Sequence, residues 1–282
     1  MSRVAYVNGR YVRHAEAAVH IEDRGYQFAD GVYEVCEVRG GRLVDEKRHL
    51  DRLARSLAEL RIAPPVGRNV LAVILREIVR HNRVVDGLVY IQVTRGVAPR
   101  DHAFPGPKTR AALVVTAKHL SLPARDSRAE KGVAVITVPE NRWARVDIKT
   151  IGLLPNVLAK QRAREEGAFE AWFVDSKGFV TEGSSTNAWI VTARGVLVTR
   201  PADTAILRGV TRTTLIDLLD RKSLRFEERP FSLKEALAAR EAFLTSATAS
   251  ATPIVKIDGK KIGTGRPGPV AMELRRRLRE HG

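Results

Sequence analysis

Cysteine is nearly absent from this chain, since Cys36 is the single one among 282 residues. A lone cysteine cannot close an internal disulfide, so a fold held together by disulfide bonds is excluded. The scarcity fits a reducing compartment, and we expect the protein to be cytoplasmic. Cys36 stands in a strand-like run with Val35 and Val38, where we predict a small buried side chain.

Long apolar runs are also missing. No stretch approaches the roughly 20 apolar residues that span a bilayer, and the first residues lead into strand-like sequence without the apolar core of an export signal. We therefore expect neither a membrane segment nor export. With 44% hydrophobic residues the chain can still bury a large core, and its length suggests one large or two medium domains.

Acidic residues are outnumbered by basic ones, 32 against 48, which leaves a net charge of +16. Such a charge raises the alternative of a nucleic-acid-binding protein, whose binding would depend strongly on salt. The basic residues are nevertheless scattered among acids, and no nucleic-acid-binding motif is present. The densest cluster, Arg275 to Arg277 with Arg279, falls on a predicted C-terminal helix. We interpret it as a solvated face and expect no nucleic-acid partner.

Hairpin, strand and helix patterns are mixed in both halves of the chain. The Asn8-Gly9 pair predicts the tight turn of a hairpin over residues 4–12. Apolar residues at helical spacing predict helices over residues 49–60, 69–82, 211–219 and 233–239. Strands are predicted over residues 31–38, 88–94, 111–117, 133–138, 171–174, 188–191, 196–199 and 242–245.

This mixture indicates an α+β fold with two domains. The first domain spans residues 1–120 and the second spans residues 128–282. Residues 121–127 are polar and contain Pro123, so we predict that they form an interdomain linker.

One lysine, Lys149, stands where a strand is predicted to end and a helix to begin. The helix is entered through Pro155, and we expect Leu154, Val157 and Leu158 to point inward. Apolar surroundings favour the neutral amine, which is the form that attacks a carbonyl to make a Schiff base. The alternative is an ordinary surface charge, because most lysines are exposed.

Three further places combine special residues with special backbone. Gly209 precedes a predicted helix whose first amides, with the Thr211 hydroxyl, could bind a phosphate, although glycine and threonine are also common helix openers. The run 245–250 is rich in small hydroxyl residues and suits an oxyanion or an ordinary polar turn. Glu182 lies in a small-residue loop that a ligand could approach closely. An amine, an acid and a phosphate cradle are what a pyridoxal phosphate enzyme needs.

Motifs in both halves resemble one known family over almost the whole chain. Those of the second half are Glu182, Ser184 and Asn187, then Leu197-Val198-Thr199, then residues 207–212. They resemble the fold-type IV pyridoxal phosphate enzymes, the class-IV aminotransferases. Residues 24–34 and 93–102 are most similar to the D-amino acid aminotransferases within that family. The resemblance implies a small N-terminal α/β domain, a larger C-terminal domain with a mixed sheet or barrel, pyridoxal 5′-phosphate as cofactor, and no metal.

The resemblance also implies roles for individual residues. Lys149 would be the Schiff-base and proton-transfer lysine, and Glu182 would face the pyridine nitrogen. Arg52 would bind the phosphate. The other residues implied to bind the cofactor are Ser185, Leu207, Gly209, Val210, Thr211, Ser246 and Ala247. Ala247 departs from the D-amino acid members, which often have threonine there, so it can offer only its amide.

The substrate site implied by the resemblance lies in the first half. Tyr33, Arg100 and His102 would bind the α-carboxylate of the substrate, and Tyr90 would line the same pocket. The chemistry is suitable, because a guanidinium binds a carboxylate through two hydrogen bonds and a phenol and an imidazole add donors. Without the resemblance, Arg100 and His102 would be interpreted as a solvated loop pair.

The resemblance therefore implies a ping-pong transaminase that acts as a homodimer with its active site near the interface. It would move the amino group of a D-amino acid, such as D-alanine or D-glutamate, to a 2-oxo acid, such as 2-oxoglutarate or pyruvate. Three alternatives share the scaffold. These are a branched-chain L-amino acid aminotransferase, an (R)-amine transaminase and an aminodeoxychorismate lyase.

Overall fold

The computed structural model describes residues 3–219 and 224–281, which form two compact units. The first unit runs to Ser121 and also takes in Ile148–Gly152. The second consists of Leu122–Asp147 and the chain from Leu153 onward. The segment of Lys149 thus groups with the first unit, although the sequence boundary at residue 128 assigns it to the second.

The first unit is built on an antiparallel sheet. In its described residues the strand order is β2-β1-β6-β5-β3-β4, and every neighbouring pair is antiparallel. The strands are β1 (Val4–Val7), β2 (Arg10–Arg13), β3 (Gly31–Arg39), β4 (Arg42–Leu43), β5 (Gly87–Thr94) and β6 (Ala112–His119). The helices are α1 (Arg24–Phe28), α2 (Glu46–Glu59) and α3 (Arg68–His81), with a 3-10 turn at His14–Glu16.

Local sequence explains most of these elements. The predicted hairpin is confirmed, because β1 and β2 are joined by Asn8 and Gly9 with φ of 46° and 95°, which a tight hairpin turn requires. Helix α2 buries Leu50, Leu53 and Leu57 in the core that covers the sheet. It begins about one turn earlier than predicted, as helix boundaries often do.

The second unit carries a mixed sheet, and the α+β prediction is confirmed. Its described strands follow the order β12-β11-β10-β13-β14-β7-β8-β9, with β15 paired to β14, and the pairs β7/β8, β7/β14 and β11/β12 are parallel. The strands are β7 (Val133–Pro139), β8 (Glu170–Val174), β9 (Val180–Gly183), β10 (Asn187–Val191), β11 (Leu197–Thr199), β12 (Phe226–Glu228), β13 (Glu241–Ser246), β14 (Ser250–Ile257) and β15 (Lys260–Lys261). The helices are α4 (Leu122–Lys131), α5 (Leu154–Glu165), α6 (Val210–Asp217), α7 (Leu233–Leu237) and α8 (Pro269–His281).

The segment predicted as a linker, residues 121–127, is mostly helical. Residues from Leu122 onward form α4, which belongs to the second unit. Pro123 is tolerated in the first turn, because the amide it lacks would have no helical partner there. Arg125 and Ala129 are buried, so the segment is packed along one side.

Helix α5 shows the opposite of its expected orientation. Pro155 stands in its first turn as predicted, and the helix buries Ala159 and Ala163 against β7 and β8. Leu154, Val157 and Leu158 are 69%, 58% and 61% exposed, so the prediction that they point inward was wrong. Ala159 and Ala163 are four residues apart and share the face that packs on the sheet, so the larger side chains lie outside that face.

The charged surface of α8 is largely neutralised by its own neighbours. Arg276 pairs with Glu273 and Glu280, and Arg279 pairs with Asp126. These contacts support a solvated face over a nucleic-acid surface. Cys36 is buried as predicted, and burial raises the pKa of its thiol. Within residues 3–219 and 224–281, no helix is long and apolar enough to cross a membrane.

Candidate active site

Lys149 lies in an irregular segment attached to β3 of the first unit, so the predicted strand end was wrong. Its carbonyl accepts a hydrogen bond from the Tyr33 amide at 3.0 Å, and the Ile151 amide donates to the Gly31 carbonyl at 3.1 Å. A Cβ on Gly31 would stand 3.0 Å from Ile151 Cδ1 and 2.7 Å from the Val93 carbonyl of β5, so glycine permits the close approach of both. Two backbone contacts are too few for a strand, yet they hold Lys149 against β3.

The Lys149 amine lies against a pair of stacked tyrosines. Its Nζ is 4.0 Å from the ring centroid of Tyr33, and the Tyr33 ring stacks on Tyr90 at 5.7 Å. The Tyr90 hydroxyl donates to Gln92 Oε1 at 2.7 Å. Burial, aided by Tyr33, raises the pKa of Tyr90 to about 12, so the phenol stays protonated. Three of the predicted residues are thus in contact.

Arg52 is held by Glu34, an acid for which no role was predicted. The Glu34 carboxylate is fully buried and accepts from Arg52 Nε at 2.7 Å, from Arg52 Nη2 at 2.8 Å and from His49 Nδ1 at 2.8 Å. Burial acts to raise the pKa of Glu34, but Arg52 and His49 outweigh it and lower the pKa to about 2. The guanidinium orientation is therefore set by an ionised carboxylate. The sequence does carry a sign of this role, because Glu34 is an acidic residue within a predicted apolar strand.

Arg100 and His102 lie on an exposed loop, and both contact Phe28. The Arg100 guanidinium carbon is 4.5 Å from the Phe28 ring centroid, and the His102 ring centroid is 5.3 Å away. In the described part of this unit, the residues predicted to bind the substrate carboxylate therefore fall into two groups. Arg100 and His102 contact Phe28, whereas Tyr33 contacts Tyr90 and Lys149.

In the second unit, Glu182 lies in strand β9, so the predicted loop was wrong, and its buried side chain is surrounded by hydrogen-bond donors. Its carboxylate accepts from Arg142 Nη1 at 2.6 Å and from Asn187 Nδ2 at 2.9 Å. The Leu207 amide lies 3.1 Å from both carboxylate oxygens, so the predicted residue Leu207 meets Glu182 through its backbone. These donors stabilise the ionised carboxylate and fix its orientation.

The start of α6 provides the predicted anion-binding backbone. Gly209 is the N-cap, and among the described residues no side chain caps the amides that follow, including those of Val210 and Thr211. A Cβ on Gly209 would stand 2.0 Å from Asn187 Oδ1, so the helix can begin here only after glycine. An uncapped helix start of this kind attracts a phosphate.

The remaining predicted residues have partners of their own. The Ser185 hydroxyl donates to the buried carboxylate of Glu170 at 2.8 Å. The Ser246 hydroxyl accepts from the Ala249 amide at 3.1 Å and lies 3.3 Å from the Thr248 hydroxyl, which closes the turn that contains Ala247.

The chain is similar in sequence to proteins of a known family. The family model described as amino-transferase class IV matches residues 31–257. The chain belongs to the amino-transferase class IV family. It is 42% identical over 271 residues to a D-alanine aminotransferase of Bacillus licheniformis (96% of this chain and 94% of that one). It is 37% identical over 270 residues to a D-alanine aminotransferase of Staphylococcus haemolyticus (95% and 94%).

Solved structures of the class IV fold agree with this assignment. A branched-chain aminotransferase of the archaeon Thermoproteus uzoniensis superposes with a TM-score of 0.87 at 27% identity, covering 99% of this chain and 94% of the other. A branched-chain amino acid aminotransferase solved with pyridoxamine 5′-phosphate superposes with a TM-score of 0.90 at 26% identity and the same coverage.

Class IV aminotransferases are pyridoxal phosphate enzymes, and the residues here fit that cofactor. The second unit has a buried acid, Glu182, held by hydrogen-bond donors, and a helix start at Gly209 that no described side chain caps. The first unit has an amine, that of Lys149, held on an aromatic ring. The chain therefore has the groups that the chemistry of the family requires.

Arg142 was not predicted as a site residue, because no sequence motif connects it with Glu182. Its side chain is 4% exposed, and it pairs with Glu140 as well as Glu182, each at 2.6 Å. Burial acts to lower the pKa of Arg142, but Glu140 and Glu182 outweigh it and raise the pKa. Arg142 and Glu182 are forty residues apart in sequence, so only the sheet brings them together.

Proposed function

We propose that this class IV enzyme is a D-amino acid aminotransferase of the cytoplasm that transfers the amino group of a D-amino acid to a 2-oxo acid. The observation that carries the proposal is the 42% identity to a D-alanine aminotransferase over 96% of the chain. The branched-chain aminotransferase structures share the fold at only 26% and 27% identity. The substrates are then small molecules such as D-alanine or D-glutamate with 2-oxoglutarate or pyruvate.

Pyridoxal 5′-phosphate is the proposed cofactor, and its binding residues follow from chemistry. Arg52, with the amides after Gly209 and those of the Ser246-Ala247 turn, would hold the phosphate. Glu182 would hold the pyridine nitrogen, and Leu207 and Ser185 would complete the site. When bound, this cofactor supplies an aldehyde for an amine and a ring that accepts electrons.

Lys149 is the proposed base. Its Nζ removes the proton from Cα of the donor amino acid, and in the second half of the ping-pong cycle it delivers a proton to Cα of the new amino acid. The Tyr33 ring supports the amine from one side at 4.0 Å. Glu182, whose carboxylate accepts hydrogen bonds from Arg142 and Asn187, would stabilise a proton on the pyridine nitrogen of the bound cofactor. Arg100 and His102 bind the substrate carboxylate.

A substrate panel on purified, cofactor-loaded enzyme tests the proposal. With 2-oxoglutarate as acceptor, we expect D-alanine to react at least about 100-fold faster than L-leucine, because a misoriented Cα proton is out of reach of the base. Faster reaction of L-leucine, or of an (R)-arylalkylamine that has no carboxylate, would contradict the assignment. Release of pyruvate from aminodeoxychorismate would indicate the lyase instead.

We also propose that the enzyme is a homodimer that buries the outer side of α5. Leu154, Val157 and Leu158 are spaced so that they share one side of the helix, and each is more than half exposed in the single chain. Clustered exposed apolar side chains commonly mark an interface. Leu158→Asp should shift the sedimenting species from dimer to monomer. Val73→Asp on α3, at a valine 54% exposed, is the matched control. A Leu158→Asp protein that stays dimeric would exclude this surface.

A further inference from the structure

The loop of residues 100–102 is fastened to the first unit by a buried arginine, Arg24. The Arg24 side chain is 4% exposed, and its Nε donates to Asp30 Oδ2 at 2.8 Å. Its Nη1 donates to the Asp101 carbonyl at 2.5 Å, and its Nη2 lies 3.4 Å from the His102 carbonyl. One guanidinium therefore joins two consecutive carbonyls of the loop to a carboxylate.

A second buried arginine, Arg95, fixes the same carboxylate. Arg95 Nε and Nη2 donate to the two oxygens of Asp30 at 2.7 and 3.0 Å. Arg95 also donates to the carbonyls of Leu60 and Arg61 at 2.8 and 3.0 Å. Burial acts to raise the pKa of Asp30, but Arg95 and Arg24 outweigh it and lower the pKa. The Asp30 carboxylate thus stays ionised at neutral pH. Through Arg95, it is connected to the end of α2.

The Phe28 ring links the anchored Arg24 side chain to the side chains of Arg100 and His102. It lies 4.9 Å from the Arg24 guanidinium carbon, 4.5 Å from that of Arg100 and 5.3 Å from the His102 ring centroid. Arg100 and His102 are otherwise exposed side chains that would sample many rotamers. A shared aromatic surface restricts both of them at once.

We infer that Phe28, supported by Arg24, is a positioning residue that sets the arrangement of Arg100 and His102 for the substrate carboxylate. The inference rests on the proposed function, in which these two side chains bind that carboxylate. Phe28 acts through them and does not itself touch substrate. Its contribution is pre-organisation, because donors already held in place lose less rotamer freedom on binding.

Phe28→Leu in the cofactor-loaded enzyme tests the inference, with propanoate as a carboxylate probe that cannot react. Loss of the ring should raise the inhibition constant of propanoate and the KM for D-alanine about tenfold. We expect kcat to change less than about twofold, with an unchanged visible spectrum of the bound cofactor. Phe28→Tyr keeps the ring and should restore both constants. Phe104→Leu is the matched control. Phe104 lies in the same loop, and its ring centroid is 3.7 Å from the guanidinium carbon of Arg95.

The outcomes separate the inference from the proposed function. Arg100→Ala provides the reference, since it should weaken propanoate binding at least as much as Phe28→Leu. An unchanged constant in Phe28→Leu beside a raised one in Arg100→Ala would overturn the inference alone. Unchanged constants in both variants would remove the carboxylate role of Arg100 and the inference with it. Equal loss in Phe104→Leu, or no restoration by Phe28→Tyr, would reduce the effect to general loosening of the loop and also overturn the inference.

Discussion

Replacing Lys149 with alanine should lower transamination by at least about 10³-fold, because the proposed base for the Cα proton is lost and positioned bases contribute rate factors of this order. The same variant should lack the visible absorbance that we expect of the wild-type enzyme loaded with pyridoxal 5′-phosphate. The expected loss does not come from unfolding, since the segment is held by backbone contacts of Lys149 and Ile151 that alanine keeps. Steady-state rates with D-alanine and an absorbance spectrum of the purified protein measure both effects.

Lys47→Ala is the matched control for that experiment. Lys47 has an 86% exposed side chain that pairs with Asp51 on the surface of α2, so its loss should leave rate and spectrum unchanged. A Lys149→Ala enzyme that retained either its absorbance or its activity would assign the amine to another lysine. Thermal melting of each variant verifies that the protein is folded.

Replacing Glu34 with glutamine should destabilise the first unit by roughly 3–5 kcal/mol, the usual cost of breaking a buried ion pair on one side. Glutamine removes the negative charge that faces Arg52, whose side chain is only 11% exposed. Because Glu34 also orients Arg52, the proposed phosphate-binding residue, the affinity for pyridoxal 5′-phosphate should fall as well. Urea unfolding at pH 7 measures the first effect, and cofactor titration of the apoenzyme measures the second.

The same substitution should also change the acid sensitivity of the protein. The pKa of Glu34 is about 2 in the folded protein against an ordinary value of 4.5. Its ionisation therefore stabilises the fold above about pH 4.5, and that stabilisation is lost as the pH falls toward 2. Glu34→Gln should remove this part of the pH dependence. Glu77→Gln, which breaks a surface pair with Arg80, is the control and should leave the free energy of unfolding almost unchanged, because exposed ion pairs contribute little. A cost for Glu34→Gln no greater than that for Glu77→Gln would contradict the buried-pair account.

Much of the architecture could be predicted from local patterns. The Asn8-Gly9 hairpin, helices α2 and α3 and the strands β3, β5, β6, β7, β8, β10, β11 and β13 follow from turn chemistry and apolar spacing, which act over a few residues. The strands β9, β12 and β14 were not predicted. The buried contacts could not be predicted in the same way. Glu34 could be seen as an acid within an apolar strand, but its two partners on α2 could not be identified before the helix was packed on the sheet. The direction of α5 was missed because alanine gives little pattern signal, yet it permits the closest packing.

By itself, the sequence determined the chemical inventory, including the amine of Lys149, the acid of Glu182, the glycine before α6 and the motif order that indicates the family. Only the tertiary structure decided which charges meet. It pairs Glu182 with Arg142 and joins Arg24 to the loop of residues 100–102. The reason is physical. A buried charge requires a partner within a few ångströms, and residues far apart in the chain reach that distance only when strands and helices pack.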